Sequence, residues 1–333
     1  MNRKFMSFVE RIGRIGVFFG GRSRERSISL RSGRAIYGAL KKAGFRVAKI
    51  DTVNGFHRTL KSKKIDFGFP ALHGAGGEDG AIQKILARHR IPYVGSDSRS
   101  SLLAFDKLKA KRLFKRCQIP TPRYQRVTRK NFKNALARWY PPYVLKPVRE
   151  GSSIDVVMVE RGRPARDLMR RLFEKYPELL IEEKIKGREF TVAVLGDRAL
   201  PVIEIRPKRS FYDFKAKYTK GFTDYLVPAP ISKELSVRLQ EIAVQVHTRL
   251  GLNDLSRVDF MVDEAENAYV LEVNSIPGFT ETSLLPKAAA HVGLDFTGLC
   301  TRLLKLAYAR QVLKTGETKW SGVVLRGTHC GVF

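Results

Sequence analysis

Apolar runs of strand length alternate with amphipathic helical stretches over the first hundred residues. The predicted strands lie at 15–19, 45–50, 66–72 and 92–94, and the predicted helices at 27–43 and 81–89. Strands and helices that alternate at short spacing are typical of a parallel sheet. The pattern therefore predicts an α/β domain over residues 1–106.

The pattern changes after Asp106, where strands are no longer regularly separated by helices. Predicted strands lie at 143–146, 156–159, 179–182, 190–195 and 202–205, and predicted helices at 107–117, 166–176 and 232–250. This mixture predicts two α+β domains, at 107–186 and 187–312. The remaining residues, 313–333, have no clear period, and we expect a poorly ordered tail.

A predicted hairpin at 257–274 separates polar from apolar side chains. Pairing Val258 with Val273 and Phe260 with Leu271 makes one face apolar and leaves 263–268 as the turn. The opposite face then carries Arg257, Asp259, Glu272 and Asn274. Exposed ion pairs would explain any one of these residues, but four in register favour a metal site, and oxygen ligands suit Mg²⁺.

Charge is unevenly distributed. The 333 residues include 62 Lys and Arg but only 32 Asp and Glu, a net charge of +30, whereas residues 251–300 carry 8 acidic and 2 basic side chains. This acidic island coincides with the hairpin and supports a metal site. A strongly basic chain is also typical of nucleic-acid binding, but no recognition motif accompanies the charge, so this interpretation is the least favoured.

Several classes of protein are excluded or disfavoured. The chain has no run of about 18 apolar residues, so we predict no transmembrane helix. No apolar stretch with a cleavage site follows the basic N-terminus, which argues against a secretory signal. Cys117, Cys300 and Cys330 are too few and too scattered for a disulfide framework or a zinc site. We expect a cytoplasmic protein.

Two loops are candidate phosphate sites. A lysine on a strand, Lys146, precedes a glycine–serine loop ending at Ser153, and a glycine-rich loop at 73–80 follows another strand. Neither matches a Walker A motif, and Gly20-Gly21 does not complete a dinucleotide fingerprint. Taken alone, the glycine–serine loop is better explained by an ordinary turn, and the loop at 73–80 by a tight turn that caps the helix at Asp79.

In order and spacing, these motifs resemble the D-alanine–D-alanine ligases of the ATP-grasp superfamily over about residues 14–308. The resemblance is carried by GGRSRERSIS at 20–29, ALHGAGGEDG at 71–80, DK at 106–107, KPVREGSS at 146–153, GREFTV at 187–192, FYDFKAKY at 211–218, RVD at 257–259 and EVNSIPG at 272–278. It implies an ATP-grasp fold of three domains, with a parallel-sheet domain followed by a two-lobed ATP-grasp unit, and a homodimer.

The resemblance also implies a reaction: ATP phosphorylates one D-alanine, and a second D-alanine displaces the phosphate to form a dipeptide for peptidoglycan precursors. It assigns nucleotide contacts to Lys107, Lys146, Glu182, Glu189 and, from a mobile loop at about 207–226, Lys217. It assigns two Mg²⁺ or Mn²⁺ ions to Asp259, Glu272 and Asn274.

The remaining implied roles concern the amino acids. Glu25, linked to Ser152 and Tyr218, would bind the first ammonium, with His73 nearby. Arg257 and the Gly278 N–H would stabilise the oxyanion, and Ser283 and Leu284 would bind the second carboxylate. Tyr218, rather than Phe, favours a dipeptide over D-alanyl-D-lactate, which remains an alternative together with other carboxylate–amine ligations.

Some positions depart from the family pattern. Arg24 and Ser27 flank Glu25 where Ala and Glu are usual, and Ile154-Asp155 stands where Val-Gly is common. Ser275-Ile276 also replaces the more usual Thr-Ser or Thr-Met. None of these changes removes a group with an implied catalytic role.

Overall fold

The computed structural model describes residues 3–53, 59–60, 62–162, 164, 166–208 and 221–315. Within these residues the strands form three sheets, and each sheet lies within one of the three predicted domains. The domain boundaries themselves stay predictions, although the last helix continues past residue 312.

The first sheet is parallel, as the alternating pattern predicts. Its strands are β1 (Arg14–Phe19), β2 (Arg46–Asp51) and β3 (Phe67–Pro70), in the order β2-β1-β3. The helices are α1 (Arg3–Ile12), α2 (Arg26–Lys42), α3 (Ala81–Arg88) and α4 (Ser98–Phe105). The strand predicted at 92–94 is reduced to one parallel bridge, between Gly68 and Tyr93.

The second sheet is antiparallel, with the order β4-β7-β5-β6. Its strands are β4 (Tyr124–Thr128), β5 (Tyr143–Pro147), β6 (Val157–Val159) and β7 (Glu178–Glu183). Helices α5 (Lys107–Arg116), α6 (Phe132–Ala137) and α7 (Arg166–Lys175) accompany them. Asp106 caps α5 by accepting a hydrogen bond from the Lys109 N–H at 3.0 Å, which fixes where Lys107 begins the helix.

The third sheet is also antiparallel, with the order β11-β10-β8-β12-β13 and β9 paired to β8. Its strands are β8 (Gly187–Leu195), β9 (Arg198–Ala199), β10 (Ile203–Pro207), β11 (Thr223–Leu226), β12 (Leu255–Asp263) and β13 (Ala268–Asn274). Helices α8 (Lys233–Arg249), α9 (Leu284–His291) and α10 (Phe296–Thr315) complete the region. Part of the loop predicted at 207–226 is thus strand β11, which pairs with β10.

The first and last parts of the chain share one hydrophobic core. The rings of Phe69, on β3, and Phe279 pack edge-on with their centroids 6.0 Å apart, and the ring centroids of Phe8 and Tyr308 are 5.5 Å apart. Helix α10 packs against α2, and it continues beyond Ala309, where the sequence shows no clear period. This packing brings the loop after β13 against the carboxyl ends of the parallel strands, where α/β sheets place ligands.

None of the helices in the described ranges combines the length and apolar character that crossing a bilayer requires.

Candidate active site

Two cavities share one carboxylate. The large cavity, about 530 Å³, lies between the two antiparallel sheets and is lined by the predicted site residues Lys107, Lys146, Glu182, Glu189, Asp259 and Glu272. The small cavity, about 160 Å³, is lined by Glu25, His73, Ser152, Arg257, Glu272, Asn274, Gly278, Ser283 and Leu284. Glu272 borders both, so a molecule in one cavity lies next to a molecule in the other.

The polar face of the hairpin is built around Asp259. Two nitrogens of the Arg257 guanidinium donate to its carboxylate, Nε to Oδ1 at 2.9 Å and Nη2 to Oδ2 at 2.8 Å. Asn274 Nδ2 donates to Oδ2 at 3.2 Å, as expected for residues predicted to share this face. The hydroxyl of Thr191, on neighbouring β8, adds a bond to Oδ1 at 2.6 Å. These bonds fix the buried carboxylate and the guanidinium together.

The predicted hairpin register is correct for its first three pairs and wrong beyond them. Asp259 pairs with Glu272, but a β-bulge follows, so that Phe260 pairs with Val270 instead of Leu271. A bulge places two consecutive residues opposite one, which breaks strict alternation. Leu271 and Glu272 consequently both line the large cavity, and the apolar wall of this cavity gains a side chain that the predicted register assigns to the core.

Glu182 lies in a buried cluster of charge. Lys146 Nζ is 2.8 Å from its Oε1, and Lys111 Nζ is 2.5 Å from its Oε2. Burial alone would raise the pKa of Glu182, but the Lys111 and Lys146 ammonium groups lower it. Lys111 is fully buried, and this burial lowers its pKa to about 8 even beside Glu182. The cluster holds Glu182 and Lys146 in fixed positions at the cavity wall.

Lys107 joins the glycine–serine loop to the hairpin. Its Nζ donates to the Glu150 carbonyl oxygen at 2.6 Å and lies 3.1 Å from Glu272 Oε2. The side chain is largely buried, so its charge is only weakly screened by water. A cation at this place, between the two cavities, is suited to neutralising a phosphoryl group that passes from one cavity to the other.

Glu25 is enclosed by two glycines and a serine. The Ser152 hydroxyl donates to Glu25 Oε1. A Cβ at Gly74 would come within 2.7 Å of Glu25 Oε2, and one at Gly151 within 2.9 Å, so a larger residue at either position would push this carboxylate out of its place. Burial, followed by the charge of Glu78, raises the pKa of Glu25. A cationic ligand next to this carboxylate would stabilise its charged form.

His73 is held in one orientation. Its Nε2 lies 3.0 Å from Ser32 Oγ, and its Nδ1 lies 3.1 Å from the Ile276 carbonyl oxygen. A carbonyl only accepts, so Nδ1 carries the proton and Nε2 accepts from the Ser32 hydroxyl. The same Ser32 oxygen accepts the Phe279 N–H at 3.2 Å. His73 therefore ties the loop after β13 to the first domain.

The amino end of helix α9 borders the small cavity. Ser283 precedes the helix, and its Oγ accepts the Thr280 N–H at 3.0 Å. Leu284 is the first helical residue, and both residues line the cavity with Gly278. The first turn of a helix offers N–H groups and a partial positive charge, which suit a carboxylate.

The donor set on the hairpin fits a magnesium-type ion. Asp259 and Glu272 supply carboxylate oxygens and Asn274 an amide oxygen, and each carboxylate oxygen can accept more than one contact. Within the described residues no three His, Cys, Asp or Glu side chains cluster as a metal site by themselves. Oxygens of a bound molecule, such as nucleotide phosphates, would complete the coordination that Asp259, Glu272 and Asn274 begin.

Two predicted site residues, Lys217 and Tyr218, lie outside the described residues. Conversely, sequence reasoning did not single out Lys111, Thr191 or Arg31, although Arg31 lines the small cavity. Lys111 lies four residues after Lys107, the spacing that places two side chains on one face of a helix. That spacing could have identified it, whereas the Thr191 contact depends on strand pairing.

Two antiparallel sheets that face each other across a cavity lined with lysines and carboxylates define an ATP-grasp protein. The sequence matches the family models described as D-ala D-ala ligase N-terminus over residues 48–96 and D-ala D-ala ligase C-terminus over residues 113–305. The D-alanine–D-alanine ligase of Carboxydothermus hydrogenoformans is 44% identical over 304 residues, covering 88% of this chain and 97% of that protein. The chain belongs to the D-alanine–D-alanine ligase family.

Solved structures agree with this family. The D-alanine–D-alanine ligase of Bacillus anthracis has a TM-score of 0.81 at 33% identity, and its complex with ATP has 0.78 at 30%; each comparison covers 91% of this chain and 99% of the other. The VanG D-Ala:D-Ser ligase of Enterococcus faecalis has a TM-score of 0.77 at 30% identity, covering 89% and 99%. The ATP-grasp fold expected from the motifs is confirmed.

Proposed function

We propose that the protein joins two D-alanines in an ATP-dependent reaction that forms D-alanyl-D-alanine for peptidoglycan synthesis. The observation that carries this proposal is the pair of adjoining cavities with Glu272 in common. The large cavity is within the usual range for a nucleotide-sized ligand, and the small one suits much smaller molecules. A carboxylate in the small cavity can then meet a phosphate from the large one.

In the first step, a D-alanine carboxylate oxygen attacks the terminal phosphorus of ATP, and the bond to the leaving ADP breaks. Lys107 and Lys146 neutralise phosphate charge, while Glu182 and Glu189 contact the adenosine. Glu25 binds the ammonium of this D-alanine, and Ser152 orients the Glu25 carboxylate. The product is an acyl phosphate.

In the second step, the amine of another D-alanine attacks the acyl carbon, the carbon–oxygen bond to phosphate breaks, and the nitrogen loses a proton. Arg257 and the Gly278 N–H stabilise the negative oxygen that develops on the carbonyl. The amino end of α9, with Ser283 and Leu284, binds the second carboxylate. His73 orders the loop around this subsite.

Asp259, Glu272 and Asn274 would hold two Mg²⁺ or Mn²⁺ ions. When bound with ATP, such ions supply positive charge to the phosphate oxygens. The fixed Arg257–Asp259 fork keeps one carboxylate of this set in place for that task.

We further propose that the protein is a homodimer and that it is located in the cytoplasm. The use of ATP as a substrate supports the cytoplasmic location. Sedimentation of the purified full chain tests the dimer. A nucleic-acid-binding protein is the alternative from another class, supported only by the net charge of +30. Salt-sensitive DNA binding without ATP turnover would favour that alternative.

The decisive experiment measures phosphate release by the full chain with ATP and Mg²⁺, supplying D-alanine, L-alanine, or D-alanine with D-lactate. We expect release that requires D-alanine and yields the dipeptide. Release that is independent of any amino acid, or faster with L-alanine, would contradict the proposal. A depsipeptide as the main product would instead assign the second substrate to D-lactate.

A further inference from the structure

Two residues that depart from the family pattern contact each other. Arg24 Nη1 donates to Asp155 Oδ2 at 2.9 Å, although the two residues are 131 positions apart. Arg24 directly precedes Glu25, and Asp155 follows the loop that carries Ser152. The contact therefore connects the two chain segments that meet at the Glu25 carboxylate.

Asp155 is also held from a third direction. The Tyr176 hydroxyl donates to Asp155 Oδ2 at 2.6 Å, and Lys175 Nζ lies 3.3 Å from both carboxylate oxygens. Burial would raise the pKa of Asp155, but hydrogen bonds from Tyr176, Arg24 and Lys175 lower it. The carboxylate is thus charged and joins the end of α7 to the segment before α2.

The loop held by this contact has an unfavourable backbone. Ser152, Ser153 and Asp155 have φ values of 52°, 56° and 53°, a region that residues other than glycine rarely adopt. Two backbone bonds close it, from the Ile154 N–H to the Gly151 carbonyl oxygen at 3.0 Å and from the Val156 N–H to the Ser153 carbonyl oxygen at 3.4 Å. Such backbone persists only where surrounding contacts determine it. Lys107 anchors the start of the loop through Glu150, and Asp155 anchors its end.

We propose that Arg24 and Asp155 are positioning residues that hold this loop against Glu25, so that Ser152 stays on the Glu25 carboxylate and the subsite for the first D-alanine stays formed. This inference rests on the proposed function and adds to it two residues without an implied role. Neither lines the small cavity, so they act through Glu25 and Ser152. An ordinary surface ion pair is the simpler explanation to be excluded, since the Arg24 side chain is 52% exposed.

The test compares Arg24→Gln, Arg24→Lys, Asp155→Asn and the double variant Arg24→Gln/Asp155→Asn in the full chain. Asparagine tolerates left-handed backbone, so Asp155→Asn removes charge without adding strain. We expect Arg24→Gln and Asp155→Asn each to raise the KM for the first D-alanine about fivefold, as an ion pair at the strong end of the exposed range would. The KM for ATP should rise less than the KM for D-alanine, because Arg24 and Asp155 do not line the large cavity, although Ser153 and Ile154 of the same loop do.

The double variant and the conservative Arg24→Lys variant distinguish a positioning role from a general loss of structure. The double variant should resemble Asp155→Asn, because the contact with Arg24 is already lost in that single variant. Arg24→Lys should recover part of the lost affinity. Arg170→Ala is the matched control, since Arg170 also forms an exposed ion pair, with Asp167, and lines neither cavity. It should leave both KM values unchanged.

Hydrogen exchange gives a readout without turnover. The peptide containing Ile154 should exchange faster in Arg24→Gln and Asp155→Asn than in the wild type. An unchanged KM for the first D-alanine, unchanged exchange, or effects that simply add in the double variant would each overturn the inference while leaving the proposed function intact. A wild-type enzyme without D-alanine-dependent turnover would overturn both.

Discussion

Replacing Glu182 with glutamine removes the negative charge at the centre of the buried cluster. Lys146 and Lys111, at 2.8 Å and 2.5 Å from its two oxygens, would then face a neutral amide. Breaking a buried ion pair by removing one partner typically costs about 3–5 kcal/mol, because a buried charge is left uncompensated. Glu182 is 2% exposed, so water cannot replace it. We expect the free energy of unfolding to fall by about 3 kcal/mol or more.

Removing the Lys111 side chain should lower the free energy of unfolding much less than Glu182→Gln does. Lys111→Met leaves Lys146 to pair with Glu182 and fills similar space with an apolar side chain. Burial lowers the pKa of Lys111 to about 8, so keeping it charged at neutral pH is itself unfavourable. Removing one partner of a buried pair is costly when it leaves an uncompensated charge, but Lys111→Met leaves the neutral Lys146–Glu182 pair whereas Glu182→Gln leaves two positive charges, so we expect a loss of about 1 kcal/mol or less. Lys109→Met, on the exposed face of the same helix, is the matched control.

The cluster also predicts a dependence on pH. The pKa of Lys111 is about 8 in the folded protein and 10.5 for the unperturbed side chain, so between these values the unfolded chain binds more protons. Its contribution to stability therefore rises with pH in this window, and Lys111→Met should abolish that rise. The pKa of Glu182 is lowered, so its contribution is present above 4.5 and is lost as the pH falls below that value.

Urea unfolding followed by circular dichroism, without nucleotide, measures these differences at pH 7 and near pH 9.5. The m-value should not change, so that shifts in midpoint report stability. The reasoning is refuted if Glu182→Gln stays within about 1 kcal/mol of the wild type, or if Lys111→Met is as damaging as Glu182→Gln. The first result would mean that this carboxylate does not stabilise the two lysines, and the second that Lys111 contributes as much to stability as Glu182 does.

Three further predictions concern the cavities. Glu25→Gln should weaken the affinity for the first D-alanine by about tenfold to a hundredfold, as measured by steady-state kinetics, through loss of a charge-assisted bond, with the KM for ATP unchanged. Its melting temperature at pH 7 should be equal or higher, because the raised pKa of Glu25 means that its charge costs stability as pH rises; a falling melting temperature with normal kinetics would mean a structural role only. Asp259→Asn should retain its circular dichroism spectrum and lose Mg²⁺-dependent phosphate release, and near-normal turnover would argue against the metal site. Gly151→Ala should lower D-alanine turnover by crowding Glu25 Oε2, and wild-type kinetics would show that the close approach is not needed.

The elements whose signal is local could be predicted from the sequence. The parallel sheet follows from alternating apolar runs, and the polar face of the hairpin follows from the two-residue period of a strand. The pairs Asp259–Glu272 and Arg257–Asn274 are found as predicted. Each of these features depends on residues that are close in sequence or directly opposite in one hairpin.

Features that depend on packing between distant segments could not be predicted in this way. The bulge at Leu271 leaves no trace in the pattern, because a leucine is as acceptable on a cavity wall as in a core. In the sequence, Arg24 and Asp155 are two separate departures from the family pattern, and their contact is formed only by the folding of distant segments. Helix α10 continues past its periodic part because a formed helix propagates at little cost.

The central claim is that the carboxylate of the first D-alanine attacks ATP and that the resulting acyl phosphate is consumed by the second. Oxygen labelling tests this claim most directly: D-alanine with both carboxylate oxygens as ¹⁸O is supplied with ordinary ATP, Mg²⁺ and water, and the released phosphate is analysed by mass spectrometry. The account predicts one labelled oxygen in each phosphate, because the oxygen that attacks phosphorus leaves with it when the amine attacks carbon. Phosphate without label, formed while dipeptide accumulates, would contradict it.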